Sequence, residues 1–105
     1  MDDLKILKAI SHKTRLNILL WLKEPEKNFK EFGWAPHLTE PEFINSVCVY
    51  HIQLKTGNSQ STTSENLSIL EKAGLLQSKK VAVWTLYQRN EKVIKEFSDW
   101  IGNVL

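Results

Sequence analysis

Apolar residues at Leu4, Ile6, Leu7 and Ile10 recur at three- and four-residue spacings, which bring them to one side of a short amphipathic helix over Asp2 to Ile10. Ser11 is placed to cap the next helix. From His12 to Lys23, Leu16, Leu19, Leu20 and Trp21 predict a second, core helix that Pro25 ends. Residues 25 to 47 then lose the period. Pro25, Gly33, Pro36 and Pro41 punctuate a stretch that still carries Phe29, Phe32, Trp34, Leu38, Phe43 and Ile44, so an ordered loop packed on the body is expected. Within it Thr39 and Glu42 have capping-box spacing with Pro41 between them, which predicts a short helix start.

Helical spacing returns from Val49 to Thr56 and stops at Gly57 and Asn58, residues that suit a left-handed helix end. Another helix begins almost at once: Ser59 is a fair N-cap, Thr63, Leu67, Leu70 and Ala73 share a face, and Gly74 closes the run. Two helices joined by so short a turn predict a helix-turn-helix. LLQSKK and VWTLYQR then read as two strands of a hairpin, with Trp84 and Leu86 on one face and Thr85 and Tyr87 on the other. A final helix begins near Glu91 and carries Val93, Ile94, Phe97, Trp100, Ile101 and Val104. The expected fold is mainly α with a small β-hairpin: two helices, a long connection, a helix pair, a hairpin and a closing helix, which is a winged helix-turn-helix.

The second helix of the pair starts oddly. From Ser59 to Ser68 it holds six hydroxyl side chains plus Gln60 and Asn66, residue types that compete with the helix for backbone hydrogen bonds. In a helix-turn-helix the first turns of this helix meet base edges and phosphates, where short hydroxyls and amides donate and accept and the positive helix end favours phosphate. Gln60 is the leading candidate base reader, because its amide can pair bidentately with adenine. Ser61, Thr62 and Ser64 suit phosphate, the methyl of Thr62 suits a thymine methyl, and Lys79 and Lys80 stand near the hairpin tip. The plain alternative is a solvated helix face that begins with a cap.

Composition narrows this further. A chain of 105 residues with 42% hydrophobic and 25% charged content can bury one core, so residues 1–105 are expected to form one domain with an elaborated 25–47 connection. The net charge of +2 permits a nucleic-acid partner without proving one. An acidic start and the lack of a long apolar run predict neither a secretory signal nor a membrane span, hence a cytoplasmic protein. The one cysteine, Cys48, excludes an internal disulfide.

Two segments resemble a known family. SHKTRLNILLWL resembles the S-D-P-T-R-x-x-I-L-x-x-L signature of the ArsR/SmtB winged-helix repressors, and SQSTTSENLSILEKAGLL resembles their S-Q-P-T-V-S-x-H-L-x-x-L-x-x-A-G-L-[VL] segment. The resemblance implies a dimeric repressor of double-stranded DNA, one recognition helix per half-site, paired through the first and last helices and released by a chemical signal. Its DNA contacts fall on Gln60, Ser61, Ser64 and Glu65, with the wing at Lys79 and Lys80. Glu65 and Asn66 depart from the basic or histidine residues usual there. Val81 and Ala82 stand where a turn glycine is customary, so a loop wider than two residues is expected. The pairing has its own support in the residues: Leu4, Ile6, Leu7, Phe97, Trp100, Ile101 and Val104 (with Leu105 beyond them) offer more apolar surface than one small body covers, which predicts a homodimer.

The signal sites of the family look lost. VCVYHIQ resembles a C-V-C-D-L metal-binding stretch, with Cys48 at the first thiol and Tyr50 at the second, and one thiolate is a poor soft-metal site. The last helix contains no histidine. No metal and no cofactor are therefore expected; Cys48 remains a candidate redox thiol, and His12, His37 and His51 read as ordinary surface or helix-end residues. A small-molecule inducer is the remaining release signal, and an apolar pocket among Phe29, Phe32, Trp34, Leu38 and Phe43 would hold it; the plainer alternative is that these aromatics only pack the loop down. No phosphate loop, acid pair or activated nucleophile is legible, and Cys48 with His51 lacks an orienting third group, so an enzyme is not expected. The rival reading is a winged-helix module that binds protein; a basic surface built from Lys55, Lys72, Lys79, Lys80 and Arg89 around the helix favours DNA.

Overall fold

The computed structural model describes residues 1–105. Helix α1 (Asp3–Ile10) starts at Asp2, whose carboxylate accepts from the Lys5 amide at 3.1 Å. It ends at Ser11. That hydroxyl donates to the Lys8 carbonyl at 2.9 Å, so it closes α1 and does not cap α2 (Lys13–Trp21), whose cap position is His12. Helix α2 buries Ile18 and Leu19, with Leu22 just beyond, while Leu16 and Leu20 remain 38% and 53% exposed. The buried face is thus rotated from the one expected.

Pro25 opens a helix as well as ending one. Its fixed φ suits the first turn of α3 (Pro25–Phe29), and two 3-10 turns, Lys30–Phe32 and Pro36–Leu38, lie around Gly33, which takes φ +100°. The expected helix start at Thr39 does not form. The Thr39 hydroxyl donates back to the Pro36 carbonyl at 3.0 Å on an extended backbone, and Glu40 pairs with Phe43 in an isolated bridge. Phe29, Trp34 and Phe43 are buried, and the Trp34 indole donates to the Ser46 carbonyl at 2.9 Å, so the segment is packed down by its aromatics.

Strand β1 (Val47–Cys48) leads into α4 (Val49–Thr56), which Gly57 ends at φ +74°; α5 (Gln60–Lys72) begins after Ser59. Strands β2 (Leu76–Val81) and β3 (Trp84–Arg89) form the hairpin, and α6 (Glu91–Val104) closes the chain. The chain's local pattern does not announce β1. It pairs antiparallel with β3, giving a three-stranded sheet in the order β1-β3-β2. Val81 pairs with Trp84, so the turn holds only Ala82 and Val83, and the wider loop expected from the missing glycine is corrected. Ala82 supplies the positive φ itself, at 54°.

The core gathers Ile6, Ile18, Phe29, Val47, Ile52, Leu67, Leu70 and Leu75, all essentially inaccessible. Arg15 fastens three helices around it. Its Nε donates to the Ala9 carbonyl at 2.7 Å and its Nη1 to Asn66 Oδ1 at 3.1 Å, tying the end of α1 and the middle of α5 to α2.

Candidate nucleic-acid interface

Helices α4 and α5 are locked by hydroxyls. Thr56 Oγ1 donates to the Gln53 carbonyl at 3.0 Å, accepts from the Asn58 amide at 3.2 Å and lies 3.5 Å from Thr63 Oγ1, which closes the turn between the helices. Ser59 caps α5 as expected: its Oγ accepts from the Thr62 amide at 3.2 Å and donates to Thr62 Oγ1 at 3.0 Å. The polar first turns then divide by face. Thr63, Asn66, Leu67 and Leu70 are buried, whereas Gln60, Ser61, Thr62, Ser64 and Glu65 face solvent. Asn66 is thus a structural partner of Arg15, a role its departure from the family pattern did not announce. Thr62 is exposed and has its hydroxyl engaged by the cap.

The hairpin is joined to this helix. Ser78 Oγ donates to Glu71 Oε2 at 2.6 Å, so the face of β2 bearing Ser78 looks toward α5. Tyr87 is directly opposite Ser78, and burial, then the Glu71 carboxylate, hold its hydroxyl above the usual tyrosine range. Side chains alternate along a strand, so Lys80 shares the α5-facing side with Ser78. Lys79, opposite Leu86, lies on the other side with Val81 and Trp84. The two wing lysines therefore point to opposite faces of the hairpin.

Two of the five cations expected around the helix are occupied elsewhere. Lys55 pairs with Glu31 at 3.3 Å and sits 5.4 Å from the Trp21 ring and 5.9 Å from the Phe32 ring. Arg89 is nearly enclosed; it pairs with Glu91 at 2.8 Å and donates to the Leu19 carbonyl at 2.9 Å. Both serve the fold, because a cation flanked by aromatic rings or by a buried carbonyl has lost its freedom to reach a phosphate. Lys72 and Lys80 remain exposed, and Lys79 is half-buried.

Helix α6 buries no residue at all. Val93, Ile94 and Phe97 lean on the core, while Trp100 and Ile101 are half-exposed, Val104 is 54% exposed, and the Phe97 and Trp100 rings lie 6.0 Å apart. Of the first-helix residues expected beside them, Leu4 is exposed and Leu7 half-buried. Ile6 is corrected: it is fully buried inside its own chain and presents nothing to a second one.

Among known proteins, the chain is similar to the uncharacterized HTH-type transcriptional regulator YbzH of Bacillus subtilis (strain 168), 38% identical over 101 residues that span 96% of both chains. The chain belongs to the HTH-type transcriptional regulators. No family model matches it. Among solved structures, this regulator is similar to the homodimeric winged helix-turn-helix DNA-binding domain of Mb0332 from Mycobacterium bovis, described as a possible ArsR-family transcriptional regulator. The TM-score is 0.63 at 23% identity, covering 98% of this chain and 78% of that one, which places the fold as a winged helix-turn-helix.

Proposed function

We propose that this regulator is a dimeric, ArsR-like repressor that binds a specific double-stranded DNA operator, with α5 in the major groove and the β2–β3 hairpin as its wing. The observation that carries the reading is the division of α5: the buried face alone satisfies the fold, and Gln60, Ser61, Ser64 and Glu65 form an outward polar stripe at the helix end whose dipole favours phosphate. Gln60 reads a base, Ser61 and Ser64 position the helix on phosphate, and Glu65 accepts from cytosine N4. Thr62 contributes its methyl. A homodimer brings two such stripes to the two half-sites of a palindrome, and the exposed face of α6 supplies its contact.

The test is selection of bound sequences from a random duplex library, then titration of the selected site. Gln60→Ala should cost about 1 to 3 kcal/mol on the selected duplex and far less on random DNA. Equal losses on both would remove the base-reading role.

A further inference from the structure

A cavity of about 400 Å³ opens between residues 34–40, the start of α4 and the hairpin, within the roughly 300–1,000 Å³ typical of small-molecule sites. Of the five residues expected to form a pocket, only Trp34 and Leu38 line it; Phe29 and Phe43 are buried and Phe32 lies against Lys55. The remaining apolar wall comes from Tyr50, Val81, Trp84 and Leu86. Ser46 Oγ and His51 Nδ1 are the only buried side-chain polar atoms without a hydrogen-bond partner, and both residues line this one cavity. Ser46 is 1% exposed. Unpaired buried polar atoms cost free energy and are rare enough to call for a partner. His51 therefore departs from the surface role expected of it, and burial lowers its pKa, which keeps the imidazole neutral at pH 7. Cys48 also lines the cavity, and its single thiol falls short of a soft-metal site.

We propose that this cavity binds a small aromatic molecule bearing a hydroxyl group, its ring against the tryptophan walls and its hydroxyl partnering Ser46 Oγ and His51 Nδ1. A hydroxyl both donates and accepts, so it complements a serine hydroxyl and a neutral imidazole, and being uncharged it suits a wall that is mainly apolar and also holds His37, Thr39 and Glu40. The walls belong to elements that the DNA reading uses: Val81, Trp84 and Leu86 to the hairpin, Tyr50 and His51 to α4, the helix before α5. A filled cavity biases how these elements sit together and so weakens operator binding. That regulatory step rests on the DNA-binding reading; occupancy of the cavity does not.

Isothermal titration of the full chain with 2-naphthol and with naphthalene separates the two. Saturable binding of 2-naphthol is expected, tighter than naphthalene by at least the roughly tenfold that one hydrogen bond gives. Ser46→Ala, which removes one of the two partners, should narrow the gap between the two probes. Leu38→Trp, which enlarges a wall residue, and Trp84→Ala, which removes a ring from a half-exposed wall position, should each change the affinity with an unchanged circular dichroism spectrum. No saturable binding to the wild type, equal affinity for both probes, or unchanged binding by both wall variants would overturn the site. Binding that leaves the affinity of a selected duplex unchanged overturns the regulatory step alone, and a chain that binds no duplex removes that reading while the titration still stands.

Discussion

Ala82 stands at φ 54° in a two-residue turn, a conformation that costs a residue with a Cβ about 1–2 kcal/mol. Glycine avoids that strain but loses roughly 0.5–1 kcal/mol of chain entropy. The strain outweighs the entropy. Ala82→Gly should therefore raise stability by up to about 1 kcal/mol, read as a rise of a few degrees in Tm at fixed protein concentration; a fall would mean that the turn is not strained. His51 carries a second prediction. Its folded pKa lies below the unfolded value of 6.5 because burial disfavours the cation. Between those values the unfolded chain binds the extra proton, so stability is greatest above pH 6.5 and is lost as pH falls toward the folded value. Urea titrations at pH 7.5, 6.5 and 5.5 should show a steeper loss for the wild type than for His51→Gln. Parallel curves would contradict the burial of the imidazole.

At the level of elements, the wing is coupled to α5 by the Ser78–Glu71 hydrogen bond, and strand alternation separates its lysines. Lys80 shares the face that looks toward the helix, whereas Lys79 shares a face with the cavity wall. Lys80→Ala should lower affinity for any duplex and reduce the magnitude of the salt slope by about 1, with a smaller effect for Lys79→Ala. Affinity measured from low to moderate salt checks this, and a larger effect at Lys79 would reverse the assignment. The same alternation explains a point hidden in the one-dimensional pattern. KK reads as a pair along the chain, yet a pleated strand sends the two side chains to opposite sides.

For the whole molecule, α6 is the element whose apolar face exceeds what one chain covers. Its partly exposed Trp100 and Ile101 and the more open Val104 continue the stripe begun by Val93, Ile94 and Phe97 beyond the core. A second copy is the expected cover, since apolar surface left in water costs about 25 cal/mol per Å². If one dimer holds both half-sites, as proposed, Trp100→Ala should raise the dimer dissociation constant and weaken operator binding in step. Sedimentation of the wild type at micromolar concentration checks the premise, and a monomer there would end it.

Local chemistry along the chain was enough to determine the helix pair around Gly57 and Ser59, the hairpin and the amphipathic last helix, because a glycine stop, a serine cap and a period of 3.6 or 2 act within a few residues. Side-chain partners across the chain were decided only in three dimensions. Arg15 and Asn66 are 51 positions apart and meet through helix packing; Arg89 reaches back to Leu19 across 70. Lys55 and Arg89 look like free cations in the sequence and are drawn into the fold by rings, a carboxylate and a carbonyl. β1 depends on a strand nearly forty positions later for its pairing, and Ile6 differs from Leu4 and Leu7 only in the side of α1 that faces the core. Residues 25–47 carry no period, so the cavity above Ser46 and His51 exists only where that segment, α4 and the hairpin close on one another.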